Sequence, residues 1–159
     1  DYPMHLGVTE AGVWEDSIIL SSAGIGSLLF NKIGDTIRVS ISGDPLQEVT
    51  AAKKMLTLLG YLKGPRVIAC PTCARTQIDV AELAKKVKIM TADIHQQITI
   101  AVMGCVVNGP GEAKDADIAV AGSGGAGVIF VKGKIVKKVE RSNLEKELMC
   151  EIQKMIYRR

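Results

Sequence analysis

Aromatic residues are scarce in this 159-residue chain: 1 Trp, 3 Tyr and 2 Phe make up 4 % of it. Any core must therefore be built from Ile, Val, Leu, Met and Ala. Long hydrophobic runs are missing as well. No stretch approaches the ~18 apolar residues of a membrane-spanning helix, so none is expected. The opening residues lack the basic-then-apolar layout of a signal peptide, and a cytoplasmic chain is the expectation. Neither sign of charge dominates. The 20 basic and 17 acidic side chains leave +3, too even to argue for a nucleic-acid partner. With 47 % hydrophobic and 23 % charged residues, a disordered chain is excluded.

Glycine and cysteine carry the signal. Many of the 16 glycines lie in tight clusters, and two of the 4 cysteines form Cys70-Pro71-Thr72-Cys73. Without an export signal, a C-x-x-C reads as metal or redox chemistry before it reads as a disulfide.

The first 60 residues read strand, helix, strand, helix. Tyr2 to Val8 is a short apolar run. Ser17 to Phe30 reads as a buried helix that Gly24-Ile25-Gly26 could kink or cut. Thr36 to Ile41 reads as a strand, and Asp44-Pro45 opens a helix whose expected inner face is Leu46, Val49, Ala52, Leu56 and Leu59. This alternation is that of an α/β fold. Two such units close neither a barrel nor both faces of a sheet. The chain is therefore expected to be part of something longer, or to need a second chain.

Past Gly64-Pro65 the pattern becomes α+β, so the expected division is 1–62 and 63–159. Val67-Ile68-Ala69 is a strand running into the C-x-x-C. Thr76 and Asp79 resemble a capping box before a helix through Val80, Leu83, Ala84 and Val87. Gln97 to Gly104 and Asp117 to Ala121 read as strands. Gly127 to Val131 and Lys134 to Val139 read as a hairpin. Ser142 and Glu145 suggest a second capping box, before a helix buried along Leu144, Leu148, Ile152, Met155 and Ile156.

Cys105 follows Cys73 by 32 positions, at the end of another expected strand. Cys150 falls on the polar face of the last helix and is expected to be a bystander. Three thiolates then want a fourth donor. Glu112 is available, because Gly109, Pro110 and Gly111 bend the chain back toward Cys105. Three sulfurs and one oxygen suit an iron–sulfur cluster with one exchangeable iron. The competing reading is a closed zinc site of Cys70, Cys73, Cys105 and Cys150, in a binding module without catalysis.

Cys70-Pro-Thr-Cys73 and Gly104-Cys105-Val-Val-Asn108-Gly-Pro-Gly-Glu112-Ala113 closely resemble the 4-hydroxy-3-methylbut-2-enyl diphosphate synthase family, iron–sulfur reductases of isoprenoid biosynthesis. His5-Leu-Gly-Val-Thr-Glu10-Ala-Gly12 and Gly34-Asp-Thr-Ile-Arg38-Val-Ser40 match it too, so the resemblance runs from about residue 2 to residue 140. It implies the last two βα units of a TIM-type barrel, then an α+β cluster domain similar to the repeats of sulfite and nitrite reductases. It implies a [4Fe–4S] cluster on Cys70, Cys73, Cys105 and Glu112. Glu10 becomes a candidate proton donor; Arg38, Ser40 and Asn108 become substrate contacts. The implied substrate is a cyclic diphosphate, the implied electron donor ferredoxin or flavodoxin, and the implied assembly a head-to-tail homodimer. The chain departs from the family after Gly12, where Val13-Trp14-Glu15-Asp16 replaces a Gly- and basic-rich stretch and Ser21 a common basic residue.

Plainer readings stand beside these roles. Glu10 could cap a helix or loop, Arg38 and Ser40 could form an ion pair and a polar rim, and Asn108 could simply initiate a turn. His5 reads as a packed residue. Gly122 to Gly127 lacks the G-K-[ST] ending of a phosphate loop, and the lysines from 132 to 138 read as a solvated face.

Overall fold

The computed structural model describes residues 2–107 and 115–157. The chain divides into two compact units, Asp1–Lys63 and Gly64–Arg159.

In the first unit, strands β1 (His5–Gly7) and β2 (Thr36–Arg38) pair in parallel, with Leu6 opposite Ile37 and Gly7 opposite Arg38. Helix α1 (Trp14–Phe30) connects them and α2 (Pro45–Leu58) follows. Among the described residues these strands close no barrel. The core is Leu6, Ile25, Leu29, Val39, Ile41, Ala51 and Met55.

Several expectations change here. Helix α1 runs unbroken through Gly24-Ile25-Gly26, and it is buried along one face only, at Ser17, Ser21, Ile25 and Leu29, while Ile19 and Phe30 are exposed. A Cβ at Gly24 would lie 2.9 Å from Val8, so this glycine allows a close approach of helix to chain instead of breaking the helix. Strand β2 stops at Arg38 because side chains take over its backbone partners. Ser17 Oγ donates to the Ser40 carbonyl at 2.7 Å, and Glu48 Oε1 accepts the Ile41 N–H at 2.9 Å. That second bond fixes the rotation of α2. It packs Ala51 and Met55 inward with Ala52 and Leu56 half-buried against the core, and leaves Leu46 71 % and Val49 51 % exposed, so only part of the expected apolar face is buried. His5 is exposed, not packed, with Nδ1 2.8 Å from Thr36 Oγ1. The Asp44 cap is present: its carboxylate accepts the Leu46 N–H at 2.9 Å.

The second unit is a five-stranded sheet in the order β3-β4-β5-β6-β7. Its strands are Pro65–Ala69, Ile98–Met103, Ile118–Ser123, Ala126–Val131 and Lys134–Glu140. The first three run parallel; the last two form an antiparallel hairpin. The hairpin turn places Lys132 and Gly133 at positive φ, 49° and 75°, the conformation that a tight hairpin selects.

Alternation along β4, β5 and β6 makes two buried faces. Ile100, Val102, Ile118, Val120 and Ile129 pack with helices α3 (Val80–Met90) and α4 (Leu144–Tyr157). Ala101, Met103, Ala119, Ala121, Val128 and Phe130 make up the other. Gly127 is required: a Cβ there would overlap the Leu144 side chain.

Both expected capping boxes are rearranged. Asp79 alone caps α3, accepting the Glu82 N–H at 2.9 Å, while Thr76 turns to the cysteine loop. A 3-10 turn, Arg141–Asn143, leads into α4, and Glu145 pairs with Lys86 at 2.7 Å instead of folding back. Among the described residues, no helix is long and apolar enough to cross a membrane.

Candidate functional site

The cysteine site is built on two neighbouring parallel strands. Cys70 continues β3, its N–H donating to the Val102 carbonyl at 3.1 Å. Gly104 and Cys105 leave the adjacent end of β4. The Gly104 N–H donates to Cys70 Sγ at 3.1 Å, which joins the two strand ends through a thiol. Cys70 is half-buried, Cys105 buried and Cys73 exposed.

Cys73 is tied back by Thr76, whose Oγ1 accepts its N–H at 3.0 Å. The backbone N–H of Arg75, then its guanidinium, hold the Cys73 thiol below its ordinary pKa against a smaller opposing effect of burial; the Thr76 hydroxyl adds to the lowering. A lowered thiol pKa favours the thiolate, the form that ligates metals. The donors here are sulfur, two beside strand ends and one in the loop between, which fits a sulfur-held cluster better than a hard-cation site.

Among the described residues, no three His, Cys, Asp or Glu side chains are gathered closely enough to hold a metal ion. Cys70 bonds the Gly104 N–H and the Cys73 loop is closed by Thr76 instead. Cys150 is exposed on α4. Asn108 and Glu112 lie outside the described residues. Among the described residues, hollows of this unit lie between α3 and α4 (Asp79, Lys86, Glu145) and beside Gln97, Asp117 and Lys132; neither is lined by cysteine.

In the first unit, Arg38 ends β2, Ser40 lies two residues beyond it, and Glu10 lies in the loop after β1. The loops after β1 and β2 are fastened by the Ser42 N–H, which donates to the Gly12 carbonyl at 2.9 Å. Glu10 is exposed at φ 57°, in the left-handed region that costs a non-glycine residue ~1 kcal/mol and that concentrates at functional sites. With Ala11, Gly12, Asp16, Ile19 and Leu20 it lines an open hollow. Arg38 lies along Gly7, where a Cβ would be 3.4 Å from its Nε, and it pairs with no described carboxylate. Ser40 is half-buried beyond the strand end. Two residues of the cysteine site escape sequence reading. Thr76 resembles a helix cap, and Arg75 has no motif of its own; a basic residue two positions past a C-x-x-C is the signal that could have found it.

Residues 1–53 match the GcpE TIM-barrel domain, and residues 66–154 match the GcpE protein C-terminal domain. The chain is 57 % identical over 157 residues to the 4-hydroxy-3-methylbut-2-en-1-yl diphosphate synthase (flavodoxin) of Caldanaerobacter subterraneus subsp. tengcongensis, covering 98 % of this chain and 44 % of that protein. It is 54 % identical to the protein of that name from Clostridium acetobutylicum, with 98 % and 45 % covered. The protein of the same name from Thermotoga maritima is 52 % identical, again with 98 % and 45 % covered. The chain thus spans less than half the length of these curated relatives.

Proposed function

The chain belongs to the GcpE family, and we propose that it supplies the cluster-binding domain and the last two barrel βα units of a 4-hydroxy-3-methylbut-2-enyl diphosphate synthase. The domains are 1–62 and 63–159, the second of the sulfite and nitrite reductase type. The reaction takes the cyclic diphosphate of 2-C-methyl-erythritol, adds two electrons and two protons, opens the ring C–O bond and releases water. The observation that carries this reading is the placement of Cys70 and Cys105 just past the ends of two neighbouring strands, with the Gly104 N–H on the Cys70 sulfur and the C-x-x-C loop beside it.

Cys70, Cys73 and Cys105, with Glu112 as fourth donor, hold a [4Fe–4S] cluster. Such a cluster supplies single electrons and, where one iron lacks a sulfur ligand, a Lewis-acidic position. The chain's own side chains do the rest. Arg38 offers a planar fork of donors to a diphosphate, and Ser40 and Asn108 add hydrogen bonds. Glu10, held at a strand end where barrel chemistry is placed, delivers a proton to the departing oxygen. Flavodoxin is the electron donor that the relatives' names indicate, with ferredoxin as an alternative of the same class. The working form is a cytoplasmic head-to-tail homodimer.

A chimera tests this. This chain replaces the matched 44 % of the Caldanaerobacter protein, and turnover of the cyclic diphosphate is followed with reduced flavodoxin. Product formation that Cys105→Ser abolishes is expected. A chimera that loads a cluster and forms no product contradicts the reading.

A further inference from the structure

Thr76 and Gln77 lie between the C-x-x-C and helix α3, and the Thr76 hydroxyl and the Gln77 N–H are spent on the cysteine site instead of on the helix. Thr76 Oγ1 accepts the Cys73 N–H at 3.0 Å, and the Thr76 N–H donates to the Cys73 carbonyl at 3.0 Å, closing the loop on itself. The same side chain lies against Gly104, where a Cβ would sit 2.8 Å from Thr76 Oγ1. Gln77 donates its N–H to the Gly104 carbonyl at 2.8 Å, and its Oε1 accepts the Gly124 N–H. Gly122 closes in as well, since a Cβ there would lie 2.6 Å from the Gly104 oxygen. Gly104 is thus gripped at its carbonyl and its α-carbon. Its N–H is aimed at Cys70 Sγ at 3.1 Å.

We propose that Thr76 is a positioning residue for the cluster, holding the Cys73 loop closed and keeping the Gly104 amide on the Cys70 sulfur. This rests on the reading that these cysteines hold an iron–sulfur cluster. The hydroxyl bonds Cys73 directly; the same side chain packs against Gly104, whose N–H meets the Cys70 sulfur and which precedes Cys105 in the chain. An N–H donated to a ligand sulfur stabilises the extra negative charge of the reduced state, so it raises the reduction potential. Without the clamp the potential falls, and the loop that carries Cys73 releases its metal more readily.

The chain is loaded anaerobically with ferrous iron and sulfide, as the parent and as Thr76→Val and Thr76→Ser. The midpoint potential is read by dye-mediated titration, and cluster loss is timed against a ferrous chelator. Thr76→Val should show a more negative potential and about fivefold faster loss, the value of one hydrogen bond. Thr76→Ser keeps the hydroxyl and should match the parent. A Val variant that fails to load while the Ser variant loads supports the assignment. A Val variant equal to the parent in both readings overturns it, as does a Ser variant impaired as much as Val. A parent that takes up no sulfide overturns the cluster reading itself and this inference with it; since the parent is measured first, the two failures are distinct.

Discussion

The two units solve the same packing problem to different degrees. In the second, the sheet of five strands buries Ile100, Ile118, Leu148 and Ile152 completely, and both its faces are lined with buried side chains. In the first, two strands of three residues each face two helices, and Phe30, Leu46 and Ile19 remain 81 %, 71 % and 68 % exposed. A two-stranded sheet is marginal by itself. The unit with the larger buried core is the one that carries the cysteines.

Amide hydrogen exchange offers the largest contrast. Amides of β4 and β5 should exchange at least ~100-fold more slowly than those of β1 and β2, because local opening is cheapest where least apolar surface is buried. Equal protection in the two units would break the comparison. Core truncation comes next. Leu148→Ala should cost about 3 kcal/mol in denaturant unfolding of the second unit, whereas Leu46→Ala, at an exposed site, should stay within about 0.5 kcal/mol. A smaller effect belongs to the cap of α3: Asp79→Ala should cost about 1 kcal/mol, read by the same denaturation.

The smallest effect sharpens the chemistry of the exposed cysteine. The thiolate is the reactive form, so a lowered pKa carries reactivity to lower pH. In the cluster-free chain, alkylation of Cys73 followed by mass spectrometry should keep its rate at a pH where a free thiol has slowed. Arg75→Ala should restore only part of the ordinary profile, because the backbone N–H is the larger cause and survives the substitution. A full return would make the guanidinium dominant.

Most of the second unit was legible in the sequence because its signals are local. Periodicity gives α3 and α4, apolar runs that end in cysteine give β3 and β4, and a lysine–glycine turn gives the hairpin. What escaped depends on partners distant in sequence. The rotation of α2 is set by Glu48 reaching Ile41, the length of β2 by Ser17 reaching Ser40, and the role of Thr76 by Gly104 coming against it. A capping box and a cysteine-loop clasp look the same in one dimension. For the candidate site, the positions of Cys70 and Cys105 at strand ends could be read directly. The hydrogen bond from the Gly104 N–H to the Cys70 sulfur could not, because it spans 34 residues.

The most direct measurement is iron, zinc and acid-labile sulfide per chain after anaerobic reconstitution, with the visible spectrum, for the parent, Cys105→Ser and Cys150→Ser. The account predicts iron and sulfide in equal amounts with the broad absorption of a [4Fe–4S] cluster in the parent and in Cys150→Ser, and neither in Cys105→Ser. Zinc without sulfide in the parent, lost again in Cys150→Ser, would contradict it and make the chain a zinc-stabilised binding module.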